Sequence, residues 1–277
     1  MKNKNQNISV YEYTARLRNV QFMSNISRRS FIKSCTTALT ASLIVGCHSS
    51  PTTKPEPIKP RLSARPGTPT QTPATGLTKL GLGSGRDGVL YVPSYYSADK
   101  AMPLFVALHG AGGSGAYWKS YYDRAEARGI VFMAPDSRSS TWDMIRGDYG
   151  PDIIFLDHAL NYVFDRCNID QSHILLGGFS DGASYALSLG LSNGDLFSRL
   201  IGYSPGFLLR TNPIVGKPKI YISHGTQDPV LPVKYTRDTI VASLRSSGYD
   251  VTYNEFSGDH EVPASVSEAA LDWFLHA

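Results

Sequence analysis

From residue 79 onward, short apolar runs alternate with amphipathic stretches, and this alternation leaves few architectures open. The apolar runs include Gly88-Val89-Leu90-Tyr91-Val92, Pro103–Leu108, Ile130–Ala134, Ile174-Leu175-Leu176, Leu200–Tyr203, Ile220-Tyr221-Ile222 and Val251-Thr252-Tyr253. Nearly continuous runs such as Pro103–Leu108 fit strands buried on both faces. Between them, residues 152–166 place Ile153, Leu156, Leu160, Val163 and Phe164 at helical spacing. Helical patterns also cover 182–192, 232–247 and 263–275, the last opening on Pro263, a good first-turn residue. The order predicts an α/β fold: one mostly parallel sheet covered by helices on both faces. Residues 79–277 suffice for one such domain and leave no room for a large inserted lid.

Gly178-Phe179-Ser180-Asp181-Gly182 follows the run at 174–176 and precedes the Ala/Leu-rich segment 183–191. It is the only G-x-S-x-G in the chain. Glycines two residues to either side of a serine allow a sharp strand-to-helix turn, where larger side chains would collide. The turn presents the hydroxyl above a helix N-terminus, whose free N–H groups suit an anion. A nucleophilic serine needs a base, and the base needs an orienting acid. For this elbow the chain order is serine, acid, histidine. Among downstream acids only Asp228 follows an apolar strand by a short turn. His224 precedes that acid and His276 is the penultimate residue, which leaves His260, between the last strand and the last helix. Ser180, Asp228 and His260 are therefore the candidate triad.

His109-Gly110-Ala111-Gly112-Gly113-Ser114-Gly115 follows the strand at 103–108. Its position suits one backbone donor for an oxyanion, assigned to Ala111, with Asp181 after the serine supplying the other. The same loop also fits G-x-G-x-x-G through Gly110, Gly112 and Gly115, and the next strand ends in Asp136. That is a rival dinucleotide-binding pattern. Against it, His109 directly precedes the first glycine, strand-like sequence lies upstream, and the order Ser180, Asp228, His260 goes unexplained. Tyr117, Trp118, Tyr121, Tyr122 and Trp142 cluster near this loop and the next strand end as candidates for a sugar or aromatic platform; packing into the core is the commoner fate of such side chains.

Leu108-His109-Gly110, Gly178-Phe179-Ser180-Asp181-Gly182, His224-Gly225-Thr226-Gln227-Asp228 and Asp259-His260-Glu261-Val262-Pro263 together resemble the bacterial phospholipase/carboxylesterase group of α/β-hydrolases. Feruloyl and polyhydroxybutyrate esterases are similar. The resemblance covers about residues 85–277. It implies Ser180 as nucleophile, Asp228 as acid and His260 as base, acting on a small-molecule or polymer-linked ester with no metal or organic cofactor. Position 181 is Asp where that group often has Gln, and position 183 is Ala where a third Gly is common. Two other readings keep the fold: a tethered binding protein without catalysis, since fold alone does not establish chemistry, and an acyltransferase passing the acyl group to an alcohol.

The N-terminal residues read as an address. Ser27-Arg28-Arg29-Ser30-Phe31-Ile32-Lys33 precedes an uncharged run from Ser34 to Gly46, too short to span a bilayer comfortably. A paired arginine before such a run resembles a twin-arginine export signal, and Ile44-Val45-Gly46-Cys47 resembles a bacterial lipobox. Residues 1–46 are thus read as a signal, with Cys47 lipidated and Met23 as an alternative start. The expected location is a membrane facing the periplasm or the exterior; His48 rather than Asp at the second mature position favours the outer membrane. Residues 47–78 are read as a tether: seven Pro and seven Thr fall in 48–78, a composition expected to stay extended and solvated. The catalytic domain is then 79–277. The leader 1–46 holds seven Lys/Arg against one Glu, net +6, and the remainder 20 against 22, net −2. The basic excess belongs to the leader, and no basic stripe suits nucleic acid. Cys35, Cys47 and Cys167 have no zinc-like spacing.

Overall fold

The computed structural model describes residues 58–83 and 85–277. The leader, Cys47 and the first part of the proposed tether lie outside the described residues. Eight strands form one sheet in the order β1-β2-β4-β3-β5-β6-β7-β8. They are β1 (Gly76–Lys79), β2 (Gly88–Val92), β3 (Met102–Leu108), β4 (Val131–Pro135), β5 (Ile169–Phe179), β6 (Arg199–Tyr203), β7 (Lys219–Gly225) and β8 (Val251–Phe256). β2 runs antiparallel to both its neighbours, β1 and β4, and all the other pairings are parallel. The parallel strands are the apolar runs read from the sequence. β4 and β6 are buried at every position.

The helices are α1 (Tyr122–Arg128), α2 (Asp143–Arg146), α3 (Pro151–Phe164), α4 (Asp181–Ser192), α5 (Val233–Tyr235), α6 (Ala242–Ser246) and α7 (Ala264–His276). A 3-10 segment, Gly115–Tyr121, leads into α1, and α5 and α6 are joined by a π-helical segment, Thr236–Val241. α1 stops at Gly129, whose φ of 67° closes the last turn through its N–H to Ala125 and Glu126. α4 is buried along its whole length. Its small residues allow that depth: a Cβ at Gly190 would sit 2.2 Å from Leu200. Its buried hydroxyls have work as acceptors, Ser184 Oγ from Gly206 N at 2.9 Å and Ser188 Oγ from Leu209 N at 2.9 Å.

The structure departs from the sequence reading before residue 79. Residues 58–75 do not stand off in solvent but lie along the domain as a strap, and 76–79 form β1. Leu62 and Ala64 are buried. Asn193, itself fully buried, accepts from Leu62 N at 2.9 Å and donates to Pro60 O at 2.9 Å. Asp157 accepts from Ser63 N at 2.7 Å and Ala64 N at 2.8 Å. Arg61 meets Asp195 through two bonds of 2.7 and 2.8 Å, and Arg65 adds a third at 2.6 Å. The composition argument failed because it weighed only apolar burial. This segment is ordered by polar partners waiting on the body.

Candidate active site

The loops after β3, β5, β7 and β8 all open at the carboxyl edge of the sheet. β5 ends at Phe179, and Ser180 turns the chain into α4 with φ 56° and ψ −120°. A non-glycine residue held there is strained, a feature that collects at functional sites. The flanking glycines are required by contact. A Cβ at Gly178 would sit 2.4 Å from Gly182 backbone atoms, and one at Gly182 would sit 2.3 Å from Leu108 O.

Ser180, Asp228 and His260, distant in sequence, meet here. His260 Nδ1 lies 2.6 Å from Asp228 Oδ2, and His260 Nε2 lies 2.9 Å from Ser180 Oγ. A carboxylate only accepts, so Nδ1 carries the proton and Nε2 is free to accept from the serine hydroxyl. Asp228 is buried. Burial alone would push its carboxyl up, but the N–H groups of Leu231 and Val230 and the neighbouring His260 hold it below the ordinary carboxylate value.

The chain-order argument set His224 aside as a base, and it missed what this residue does. His224 Nε2 lies 3.0 Å from Asp228 Oδ2 and 3.0 Å from Leu231 O. Both are acceptors, so Nε2 carries the proton. Burial pushes the imidazole pKa down, leaving it neutral, with Nδ1 facing Thr236 Oγ1 at 2.9 Å. Asp228 is thus gripped by two histidines and two backbone N–H groups. The signal was present in the sequence: His224 stands four residues before the acid in a tight turn.

The loop after β3 is pinned from several sides. Gly112 N donates to Ser140 O at 2.6 Å, Trp142 Nε1 donates to His109 O at 2.8 Å, and Arg86 Nη2 donates to Gly113 O at 2.5 Å. His109 Nε2 accepts from Ser137 N at 3.0 Å, so its Nδ1 donates to Gly110 O at 2.7 Å. Against these, the N–H groups of Ala111 and Asp181 have no acceptor among the described residues. The Asp181 carboxyl is buried and accepts from Thr141 Oγ1 at 2.6 Å; burial raises its pKa. The rival dinucleotide reading loses its acid. Asp136 accepts from Gly115 N at 2.7 Å and Asp87 N at 3.1 Å, within the loop framework itself. The position of Gly110 also leaves little space, since a Cβ there would lie 3.3 Å from Ser180 and Phe179 side-chain atoms.

Of the five aromatics near this loop, Trp118, Tyr121 and Trp142 are buried, and Tyr122 stacks on Tyr91 with ring centres 5.5 Å apart. Only Tyr117 reaches the surface as a large exposed ring.

Sheet order, elbow and converging loops define an α/β-hydrolase. Within that class, residues 154–274 match the phospholipase/carboxylesterase family model. It is 31% identical over 157 residues to "Probable feruloyl esterase C" of Aspergillus oryzae, covering 53% of this chain and 56% of that protein. It is 30% identical over 125 residues to "Feruloyl esterase B" of Thermothelomyces thermophilus, covering 42% of each chain. The chain therefore spans about half the length of the curated relatives it matches. Among solved structures it is similar to the fluorophosphonate-binding serine hydrolase FphF of Staphylococcus aureus, with a TM-score of 0.58 and 14% identity over 74% of this chain and all of that one. The Bacillus cereus carboxylesterase matches with a TM-score of 0.53 and 18% identity, over 69% and 94%. At these identities the two structures speak to fold.

Proposed function

We propose that the protein is a serine carboxylic-ester hydrolase working through Ser180, His260 and Asp228. The observation that carries this reading is the continuous relay Ser180 Oγ–His260 Nε2–Asp228 at 2.9 and 2.6 Å. His260 takes the proton as Ser180 Oγ attacks the ester carbonyl, and Asp228 holds the imidazole tautomer and stabilises its positive form. The N–H groups of Ala111 and Asp181 meet the developing oxyanion, where losing one donor typically costs about 3 kcal/mol. His260 returns the proton to the departing alkoxide. Water, deprotonated by His260, then attacks the acyl-enzyme and releases the acid.

Short acyl groups and exposed acyl or feruloyl esters are the substrates to try, the latter on the strength of the relatives' names. Turnover of p-nitrophenyl acetate, butyrate and octanoate by the protein and by Ser180→Ala tests the reading. Turnover that falls about 10⁶-fold in the variant supports it. Equal turnover by the two proteins overturns it.

The same reading places the enzyme outside the cytoplasm, held on a membrane through lipidated Cys47, on the pattern Arg28-Arg29 and Ile44-Val45-Gly46-Cys47. Metabolic labelling with a palmitate analogue tests this. Label lost in Cys47→Ala supports the anchor, and label retained there contradicts it.

A further inference from the structure

Three consecutive residues of one loop reach both oxyanion donors. After β4 the chain runs through residues 138–142 into α2. Ser140 O accepts from Gly112 N at 2.6 Å, and Trp142 Nε1 donates to His109 O at 2.8 Å. These two contacts hold the peptides on either side of the one that carries the Ala111 N–H. The carbonyl of that middle peptide, Gly110 O, accepts from His109 Nδ1 at 2.7 Å and from Gly113 N at 3.1 Å. Thr141, between Ser140 and Trp142, donates from Oγ1 to Asp181 Oδ2 at 2.6 Å. The loop is itself stapled. Asp152, buried in the first turn of α3, accepts from Arg138 N on Oδ1 at 2.5 Å and from Asp143 N on Oδ2 at 2.7 Å. One carboxylate thus closes both ends of the loop.

We infer that the loop 138–143 braces the oxyanion hole and that Thr141 is a positioning residue acting through Asp181. This rests on the hydrolase reading above. Asp181 is the acid in the first turn of α4, and Ser180 supplies no side-chain cap there. A carboxylate so placed is drawn to the free N–H groups of that turn, including the one the oxyanion needs. The Thr141 hydroxyl holds the carboxyl against the loop instead. That keeps the Asp181 N–H free beside the Ala111 N–H, which Ser140 and Trp142 fix. The oxyanion exists only once Ser180 Oγ has added to the carbonyl, so a misplaced donor shows in kcat and not in substrate binding.

The test compares the full-length protein with Thr141→Val, which keeps the shape and loses the hydroxyl, and Thr141→Ser, which keeps the hydroxyl. Hydrolysis of p-nitrophenyl butyrate gives kcat and KM. Trifluoromethyl propyl ketone is then compared as an inhibitor with the corresponding alcohol. The ketone carbon takes up Ser180 Oγ, its oxygen becomes an oxyanion and the serine proton passes to His260; the alcohol forms no such adduct. The expected result in Thr141→Val is a kcat about ten- to thirtyfold lower, part of the roughly 10²- to 10³-fold that one donor is worth. KM stays within about twofold, ketone inhibition weakens by the same factor as kcat, and alcohol inhibition is unchanged. Thr141→Ser keeps kcat and ketone inhibition within about threefold of wild type. Trp142→Phe, which frees His109 O, should give the same split and decides the question where Thr141→Val does not fold. No loss of kcat, a loss with ketone inhibition unchanged, or a loss shared equally by ketone and alcohol overturns the brace. A wild-type protein that neither turns over the ester nor takes a fluorophosphonate at Ser180 overturns the hydrolase reading and the brace with it. Failure of the brace alone leaves wild-type turnover intact.

Discussion

The two ends of α4 each carry a polar cluster, and the two are built to opposite purposes. At its start, Ser180 sits in strained backbone, with the N–H groups of Ala111 and Asp181 unclaimed among the described residues and His260 partly open to solvent. At its end, Asn193 and Asp195 spend their acceptors on the strap, and Asn193 also donates to Leu189 O at 2.9 Å. Both clusters join residues far apart in sequence. Only the first keeps hydrogen-bonding capacity in reserve. A polar cluster that saturates itself holds a fold together, and one that leaves donors free beside a strained nucleophile can bind a charge that appears during reaction.

Five changes to the chain or its conditions would break or sharpen that contrast. His260→Ala removes the group joining serine and acid, and kcat should fall by about 10⁶-fold, as for loss of a triad base. Its thermal unfolding should shift little, because the histidine is not part of the core; ester assays and melting curves measure the two halves of that expectation. Asn193→Ala should do the reverse. It leaves Leu62 N and Pro60 O buried without partners, at about 1–3 kcal/mol for each orphaned group, with kcat/KM close to wild type, as read by denaturant unfolding and the same assay. A chain beginning at Lys79 should suffer more than Asn193→Ala by the same measurement, since it also uncovers the Leu62 site, worth about 1.5–3 kcal/mol when filled.

His224→Phe lies between the two clusters in character, because it loosens the acid without touching the reacting atoms. One hydrogen bond to a charged group is worth about 1.5 kcal/mol, so kcat/KM should fall roughly tenfold, with His224→Gln keeping more of it. The smallest effect is on pH. Hydrogen bonds from Arg61 and Arg65 hold the Asp195 carboxyl well below the usual carboxylate range. A depressed carboxyl contributes stability that is full above its unfolded pKa of about 4 and lost as pH falls toward its folded value. Hydrogen exchange in the peptide spanning 58–66, corrected for intrinsic rate, should therefore accelerate below about pH 4 and not on the alkaline side.

The contrast also explains what could be read from the chain. The elbow was legible because steric necessity writes glycine at 178 and 182 around Ser180. Asp228 and His260 were legible because each follows an apolar strand at the edge where that elbow opens. The parallel strands were legible as continuous apolar runs, although β5 extends back to Ile169, well before Ile174. The strap was not legible, because its stability lies in Asp157, Asn193 and Asp195, more than 90 residues away, and nothing in Pro60–Ala64 itself announces those partners. His224 was visible as a residue, but its role depends on which neighbours claim its ring nitrogens. Sequence spacing does not carry that information.

The most direct test of the central claim is to react the full-length protein with a fluorophosphonate and locate the adduct by peptide mass spectrometry. The expected result is one label per chain on the Ser180 peptide, absent from Ser180→Ala and strongly slowed in His260→Ala. A folded wild-type protein that takes no label, or carries it on another residue, would contradict the assignment of Ser180 as the nucleophile.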